Sequence, residues 1–136
     1  FKRVNDAHGH GLGDRVIVAL ADALRALAPA DAVIARFGGE EFILFLPGAD
    51  PAMATGIADA IRLRFAEQAA SRLGLPGPLT ASFGLTSLHR ADRSIHDAIA
   101  RADSALYEAK EKGRNRVAIR PALAPAGDAQ SSRAIA

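Results

Sequence analysis

The stretch Arg36-Phe37-Gly38-Gly39-Glu40-Glu41-Phe42 decides how this chain is read. Before it lies the short apolar run Val33-Ile34-Ala35, and after it the run Phe42-Ile43-Leu44-Phe45-Leu46. Two strand-forming segments around a Gly-Gly pair predict a β-hairpin, because paired glycines supply the positive φ angles of tight hairpin turns. The turn carries two consecutive carboxylates, Glu40 and Glu41, on the shoulder of a strand that otherwise reads as buried. Unit charges about 4 Å apart, at an effective dielectric of about 20, repel by roughly 4 kcal/mol, so a half-sunken pair calls for a cation. A hard divalent ion with oxygen ligands, such as Mg²⁺, answers that need. Adjacent strand residues point to opposite faces, so spacing alone leaves open which Glu would ligate. A charged hairpin tip is the simpler alternative, although Gly38 and Gly39 also leave room for a ligand to approach the backbone.

The rest of the chain is a domain's worth of sequence. Its 136 residues are 49% hydrophobic and 24% charged, enough for one domain with a real core. Cysteine is absent, which removes disulfides, thiolate catalysis and cysteine metal sites, and favours a reducing compartment, the cytosol. The net charge of +2 is too small to argue for nucleic acid, so the placement of the basic residues matters more than their sum. No apolar run approaches the ~20 residues that span a bilayer, so no membrane contact is expected of this segment.

Residues 1–14 are polar and glycine-rich and read as a loop or an irregular helical turn. Val16, Leu20, Leu24 and Leu27 then mark one face of a helix from about Asp14 to Ala28, with Asp14 as a candidate N-cap and Pro29 closing it. His8 and His10 have no third ligand spaced to complete a zinc site. Asp50-Pro51 is a helix start, and Met53, Ile57, Ile61 and Phe65 form a stripe to about residue 71, with Arg62, Arg64 and Arg72 solvated. A strand follows over Leu79 to Thr86. Ser94 caps a last helix buried through Ile95, Ile99, Ala102, Leu106 and Ala109 and ending at Gly113, before a short strand Val117-Ala118-Ile119. From Pro121 the Ala- and Pro-rich chain reads as a disordered tail, residues 121–136.

Three blocks carry a resemblance to a known family. Arg-x-Gly-Gly-Glu-Glu-Phe resembles the signature of the GGDEF-domain family, the diguanylate cyclases, in its Glu variant. A second block matches at Phe1, Lys2, Asn5, Asp6, Gly9, His10, Gly13 and Asp14. The third runs from Ala102-Asp103 through Leu106-Tyr107 and Ala109-Lys110 to Gly113-Arg114-Asn115. The resemblance implies an α/β (α+β) domain over residues 1–120. Its core would be ferredoxin-like, a mixed or antiparallel central sheet flanked by helices, similar to nucleotidyl cyclase catalytic domains. It implies GTP as substrate, condensed in pairs to cyclic di-GMP and pyrophosphate across a homodimer, with Mg²⁺ or Mn²⁺ as cofactor. A sensory or regulatory domain upstream in the parent protein is also expected.

By the same resemblance, Asn5 and Asp14 hold the guanine base, and Phe1 and Lys2 meet the phosphates. Gly38 and Gly39 lie against the nucleotide, and Lys110 and Arg114 reach its terminal phosphates. Glu40 and Glu41 are the metal candidates, and Glu41, Glu40 and Lys2 the catalytic ones. The chemistry suits guanine, whose adjacent N1–H and N2–H donors a carboxylate accepts as a pair. Cations at a helix C-terminus are a simpler reading of Lys110 and Arg114. Two departures bear on activity. The family places a metal-binding Asp on the strand just before the Phe-Lys pair, ahead of Phe1, so residues 1–120 are expected to lack the first strand and that metal ligand, which leaves activity of this stretch alone open. The family's inhibitory Arg-x-x-Asp is replaced by Pro29-Ala30-Asp31-Ala32, so no tight product-binding site is expected. The rival readings are a GTP-sensing or cyclic di-GMP-binding module without catalysis, and a ferredoxin-like RNA-binding or interaction domain. The latter is short of stacking aromatics, with six Phe and one Tyr.

Overall fold

The structure is a computed structural model that describes residues 1–122 and the backbone of 132–135. The chain forms α1 (Lys2–His8), α2 (His10–Leu27), β1 (Val33–Arg36), β2 (Phe42–Leu46), α3 (Pro51–Leu73), β3 (Phe83–Ser87), α4 (Ile95–Glu111), β4 (Val117–Ile119) and β5 (Ser132–Ile135). The sheet is mixed, in the order β1-β2-β5-β3-β4. β1/β2, β2/β5 and β5/β3 are antiparallel, and β3/β4 is parallel.

Helices cover both faces, and the two-residue period of β2 sorts its side chains between them. Phe42, Leu44 and Leu46 join Val16, Ile17, Leu20 and Leu24 of α2, Ala54, Ala58, Ile61 and Phe65 of α3, and Phe83 and Leu85 of β3. Ile43 points the other way, to Ala102 and Leu106 of α4. On that second face α4 lies almost directly on β3. A Cβ added at Gly84 would stand 2.0 Å from the Ala102 carbonyl oxygen and 2.3 Å from the Leu106 nitrogen. Only glycine permits this approach.

Several caps follow the sequence. The Asp50 side chain accepts from the Met53 amide at 2.7 Å with Pro51 in the first turn, and Gly74 ends α3 in the left-handed region at φ 68°. Ser94 caps α4 by accepting from His96 N–H.

Other expectations are corrected. Residues 2–14 are helical, broken only at Gly9, whose φ of 80° lets the chain turn from α1 into α2. Asp14 therefore lies inside α2 and caps nothing. Met53 and Ile95, both in the first turn of their helices, are 57% and 49% exposed and stand off the buried stripe. Small residues, Ala54, Ala58 and Ala98 among them, supply much of the contact instead. The expected disordered tail supplies β5, whose four residues pair with unsatisfied ladder groups of β2 on one side and β3 on the other. The remainder of that tail, 123–131 and 136, lies outside the described residues. Among the described residues, no helix is long and apolar enough to cross a membrane.

Candidate active site

The hairpin forms in the expected register, with Val33 opposite Phe45 and Arg36 opposite Phe42. Its turn differs from the expectation. Gly38 and Gly39 do not have positive φ, because the loop from Phe37 to Glu41 is wider than a two-residue turn. The Phe37 amide donates to the Glu41 carbonyl at 2.8 Å and Gly38 N–H donates to the same oxygen at 3.3 Å. Arg36 secures the outer side, its Nη2 donating to the Gly39 carbonyl at 2.6 Å and its Nε to that of Gly38 at 3.3 Å. The Arg of the signature is thus the brace of its own loop. Its position at the strand end, next to glycine carbonyls that no side chain shields, is the signal that points to this.

The loop separates the two carboxylates. Glu40 is exposed, whereas Glu41 is half-buried and lies on the Ile43 side of β2, facing α4. There its Oε1 is 3.8 Å from Lys110 Nζ, in the last turn of α4. The fold therefore joins two of the sequence blocks, distant in the chain, at one end of the sheet. Gly38 adjoins them, with the Glu41 carboxylate 3.7 Å from where its Cβ would be.

Past Lys110 the helix stops and the chain swings through three consecutive left-handed residues: Gly113 (φ 107°), Arg114 (φ 60°) and Asn115 (φ 48°). Arg114 N–H donates back to the Ala109 carbonyl at 2.9 Å, leaving the Arg114 side chain exposed beside the helix end. The clamp on this turn escaped the sequence reading. Asn115 N–H donates to Ser82 Oγ at 3.1 Å, and Asn115 Oδ1 accepts from Arg62 Nη1 of α3 at 3.0 Å. Arg62, expected to be solvated, is only 17% exposed in its side chain and also donates to Asp59 at 2.8 Å. A contact spanning 53 residues leaves no trace in local periodicity.

The second block makes a separate cradle. Asn5 of α1 rests against Gly13 of α2, where an added Cβ would fall 1.8 Å from Asn5 Oδ1 and 3.2 Å from the Phe1 ring. Asn5 Oδ1 is buried without a hydrogen-bond partner. An orphaned acceptor of this kind ordinarily costs ~1–3 kcal/mol. Asp14, next in sequence to Gly13, is exposed, as is Lys2. Among the described residues, no hydrogen bond or ion pair links this cradle to the Glu41–Lys110 pair, and no three His, Cys, Asp or Glu side chains cluster as metal ligands.

The β3–α4 connection is fixed by a fork that the sequence reading did not find. Arg101 donates to both oxygens of Asp92, at 2.6 and 2.8 Å, and also to the Ser87 carbonyl and Thr86 Oγ1. That hydrogen-bonded guanidinium lowers the Asp92 pKa from 3.8 to about 2. The fork ties the middle of α4 to the loop that leads into it.

Comparison with known proteins places the chain in a family. The model of the diguanylate cyclase GGDEF domain matches residues 1–116. Diguanylate cyclase DgcM of Escherichia coli is 43% identical over 117 residues, 86% of this chain and 28% of its own length. Diguanylate cyclase A of Treponema denticola is 36% identical over 119 residues, 88% of this chain and 32% of its own. The chain thus spans about a third or less of these curated relatives. Among solved structures, the active GGEEF domain of a diguanylate cyclase from Vibrio cholerae superposes with a TM-score of 0.77 at 37% identity, covering 88% of this chain and 75% of that one. The GGDEF domain of DgcB from Caulobacter crescentus, in complex with c-di-GMP, gives 0.78 at 33% identity, covering 88% and 71%. The family match over residues 1–116, the identity to curated cyclases and the superposition of the backbone agree: the chain belongs to the GGDEF diguanylate cyclase domain family.

Proposed function

We propose that this domain condenses two molecules of GTP into cyclic di-GMP with release of two pyrophosphates. The observation that carries the reading is the pairing of Glu41 with Lys110, a half-buried carboxylate beside a cation at the end of a helix. In each half-reaction the 3′-hydroxyl oxygen of one GTP bonds to the α-phosphorus of the other. The bond from that phosphorus to the bridging oxygen breaks, pyrophosphate leaves, and the hydroxyl proton is lost. Each domain presents one GTP, so catalysis requires a homodimer.

Asn5 and Asp14 hold the guanine edge. Asn5 Oδ1 is an acceptor without a partner in the folded chain, and an amide side chain can both donate and accept at the base edge. Lys2, with the backbone near Phe1, meets phosphate oxygens. Lys110 and Arg114 take the terminal phosphates, Lys as a point charge and Arg as a planar fork. The open backbone at Gly38 and Gly39 admits the nucleotide. Glu41 holds the reacting end in place and Glu40 faces it from the loop tip.

The donor set fits Mg²⁺ or Mn²⁺ bound in the manner of phosphate-processing sites, where one or two carboxylates suffice and substrate phosphates complete the shell. Glu40 and Glu41 would hold that ion, which when bound neutralises charge developing on phosphate. The antiparallel β1/β2 hairpin and parallel β3/β4 pair, with helices on both faces, support a ferredoxin-like core akin to nucleotidyl cyclase catalytic domains. At the turn Pro29–Ala32 no Arg-x-x-Asp is present, so tight product inhibition through that motif is not proposed.

The test is incubation of the protein, in its full natural length, with GTP and Mg²⁺, followed by chromatography of the nucleotides. Cyclic di-GMP formed by the parent and absent with Glu41→Ala supports the assignment. Retained GTP binding without product points instead to a sensor module with an upstream regulatory partner.

A further inference from the structure

The left-handed turn after α4 is costly and therefore held. Non-glycine residues in this region cost on the order of 1–3 kcal/mol each and persist only where their surroundings over-determine them. Arg114 and Asn115 are two in succession. What holds them reaches in from elsewhere: Ser82, just before β3, accepts from the Asn115 amide, and Arg62 donates to its side-chain oxygen. Arg62 is itself oriented by Asp59 one turn earlier on α3, the helix that packs on the opposite face of the sheet from α4. Its guanidinium has one nitrogen on a carboxylate and another on an amide oxygen, a planar fork that fixes direction as well as distance.

We propose that Arg62 is a positioning residue for Arg114: by gripping Asn115 it locks the turn that aims the Arg114 guanidinium at the nucleotide phosphates. Arg62 touches no substrate. It ties the phosphate-contacting arm of one face to the helix of the other, so the arm is set before GTP arrives. The inference rests on the reading of Arg114 as a phosphate contact.

The experiment is steady-state cyclase kinetics of the full-length protein bearing Arg62→Gln, Asn115→Ala, Arg114→Ala and the double change Arg62→Gln with Arg114→Ala. Arg64→Gln on the exposed side of α3 serves as the control, and urea unfolding is measured for each. Arg114→Ala and Arg62→Gln are each expected to raise KM for GTP by roughly tenfold. The double variant is expected to be no worse than Arg114→Ala alone, since Arg62 acts only through that side chain. Arg62→Lys, which can still donate to Asn115, recovers part of the loss. An Arg62→Gln effect on the unfolding midpoint with unchanged KM would overturn the proposal and leave Arg62 a structural ion pair. Multiplying effects in the double variant would overturn it too. If Arg114→Ala leaves KM unchanged, the phosphate reading itself fails and the proposal falls with it, whereas an effect of Arg114→Ala without one of Arg62→Gln removes only the positioning role.

Discussion

Replacing Gly84 by alanine adds one methyl group at the closest approach of helix to sheet. The new Cβ would stand 2.0 Å from the Ala102 oxygen, 2.3 Å from the Leu106 nitrogen and 2.8 Å from the Leu106 Cα. All three are backbone atoms of α4, so no side-chain rotation relieves the clash. Carbon contacts are ordinarily about 3.5 Å or longer, so α4 would have to lift by more than about 1 Å. Lifting it unpacks Ala98, Ala102, Ala105, Leu106 and Ala109, all essentially inaccessible now. Overpacking that neighbours can absorb costs about 1–3 kcal/mol, and a rigid helix backbone puts Gly84→Ala at or above the upper end. That is a large share of the ~5–15 kcal/mol that stabilises a domain. Lys110 sits two turns further along α4 and moves with it, away from Glu41. A displacement of about 1 Å at reacting groups can cost ~10²-fold in rate. Urea unfolding and turnover per folded molecule are the assays. A variant within about 0.5 kcal/mol of the parent, with full turnover, would refute the packing argument.

Gly13→Ala acts at the other cradle: the methyl group displaces the Asn5 side chain, which can swing away. KM for GTP should rise by at least about tenfold and preference for guanine over adenine should fall, with little change in unfolding midpoint. Competition assays with ATP read this directly. The Asp92–Arg101 fork should show in acid. Its folded pKa is depressed, so its contribution is fully present above 3.8 and is lost as pH falls toward about 2. By linkage that contribution is about 2 kcal/mol. The stability gap between the parent and Asp92→Asn, followed by denaturant titration from neutral pH downward, should narrow by that amount across the window. A gap independent of pH would show that the fork contributes nothing through the charge of Asp92.

Much of this architecture could be read from the chain because its signals are local. Paired apolar runs around Gly38-Gly39 gave the hairpin, Asp50-Pro51 and Ser94 gave two helix starts, and Val117–Ile119 is a strand where alternation ended. The meeting of Glu41 and Lys110 was reachable only through resemblance, since no periodicity connects residues on different elements. The helical character of residues 2–14 was hidden by polar and glycine-rich composition, because α1 buries no residue completely and so carries no apolar stripe. Arg62 reads as one more surface arginine until Asn115 is folded against it. The strand at 132–135 depends on a gap between β2 and β3 that no local pattern announces.

The most direct test of the central claim is chromatographic analysis of GTP and Mg²⁺ incubated with the full-length protein and with its Glu41→Ala variant, whose fold is checked by circular dichroism. Cyclic di-GMP and two equivalents of pyrophosphate from the parent, and none from the folded variant, is the predicted result. Product formed equally by the Glu41→Ala variant would contradict the assignment of Glu41 and the site built around its pairing with Lys110.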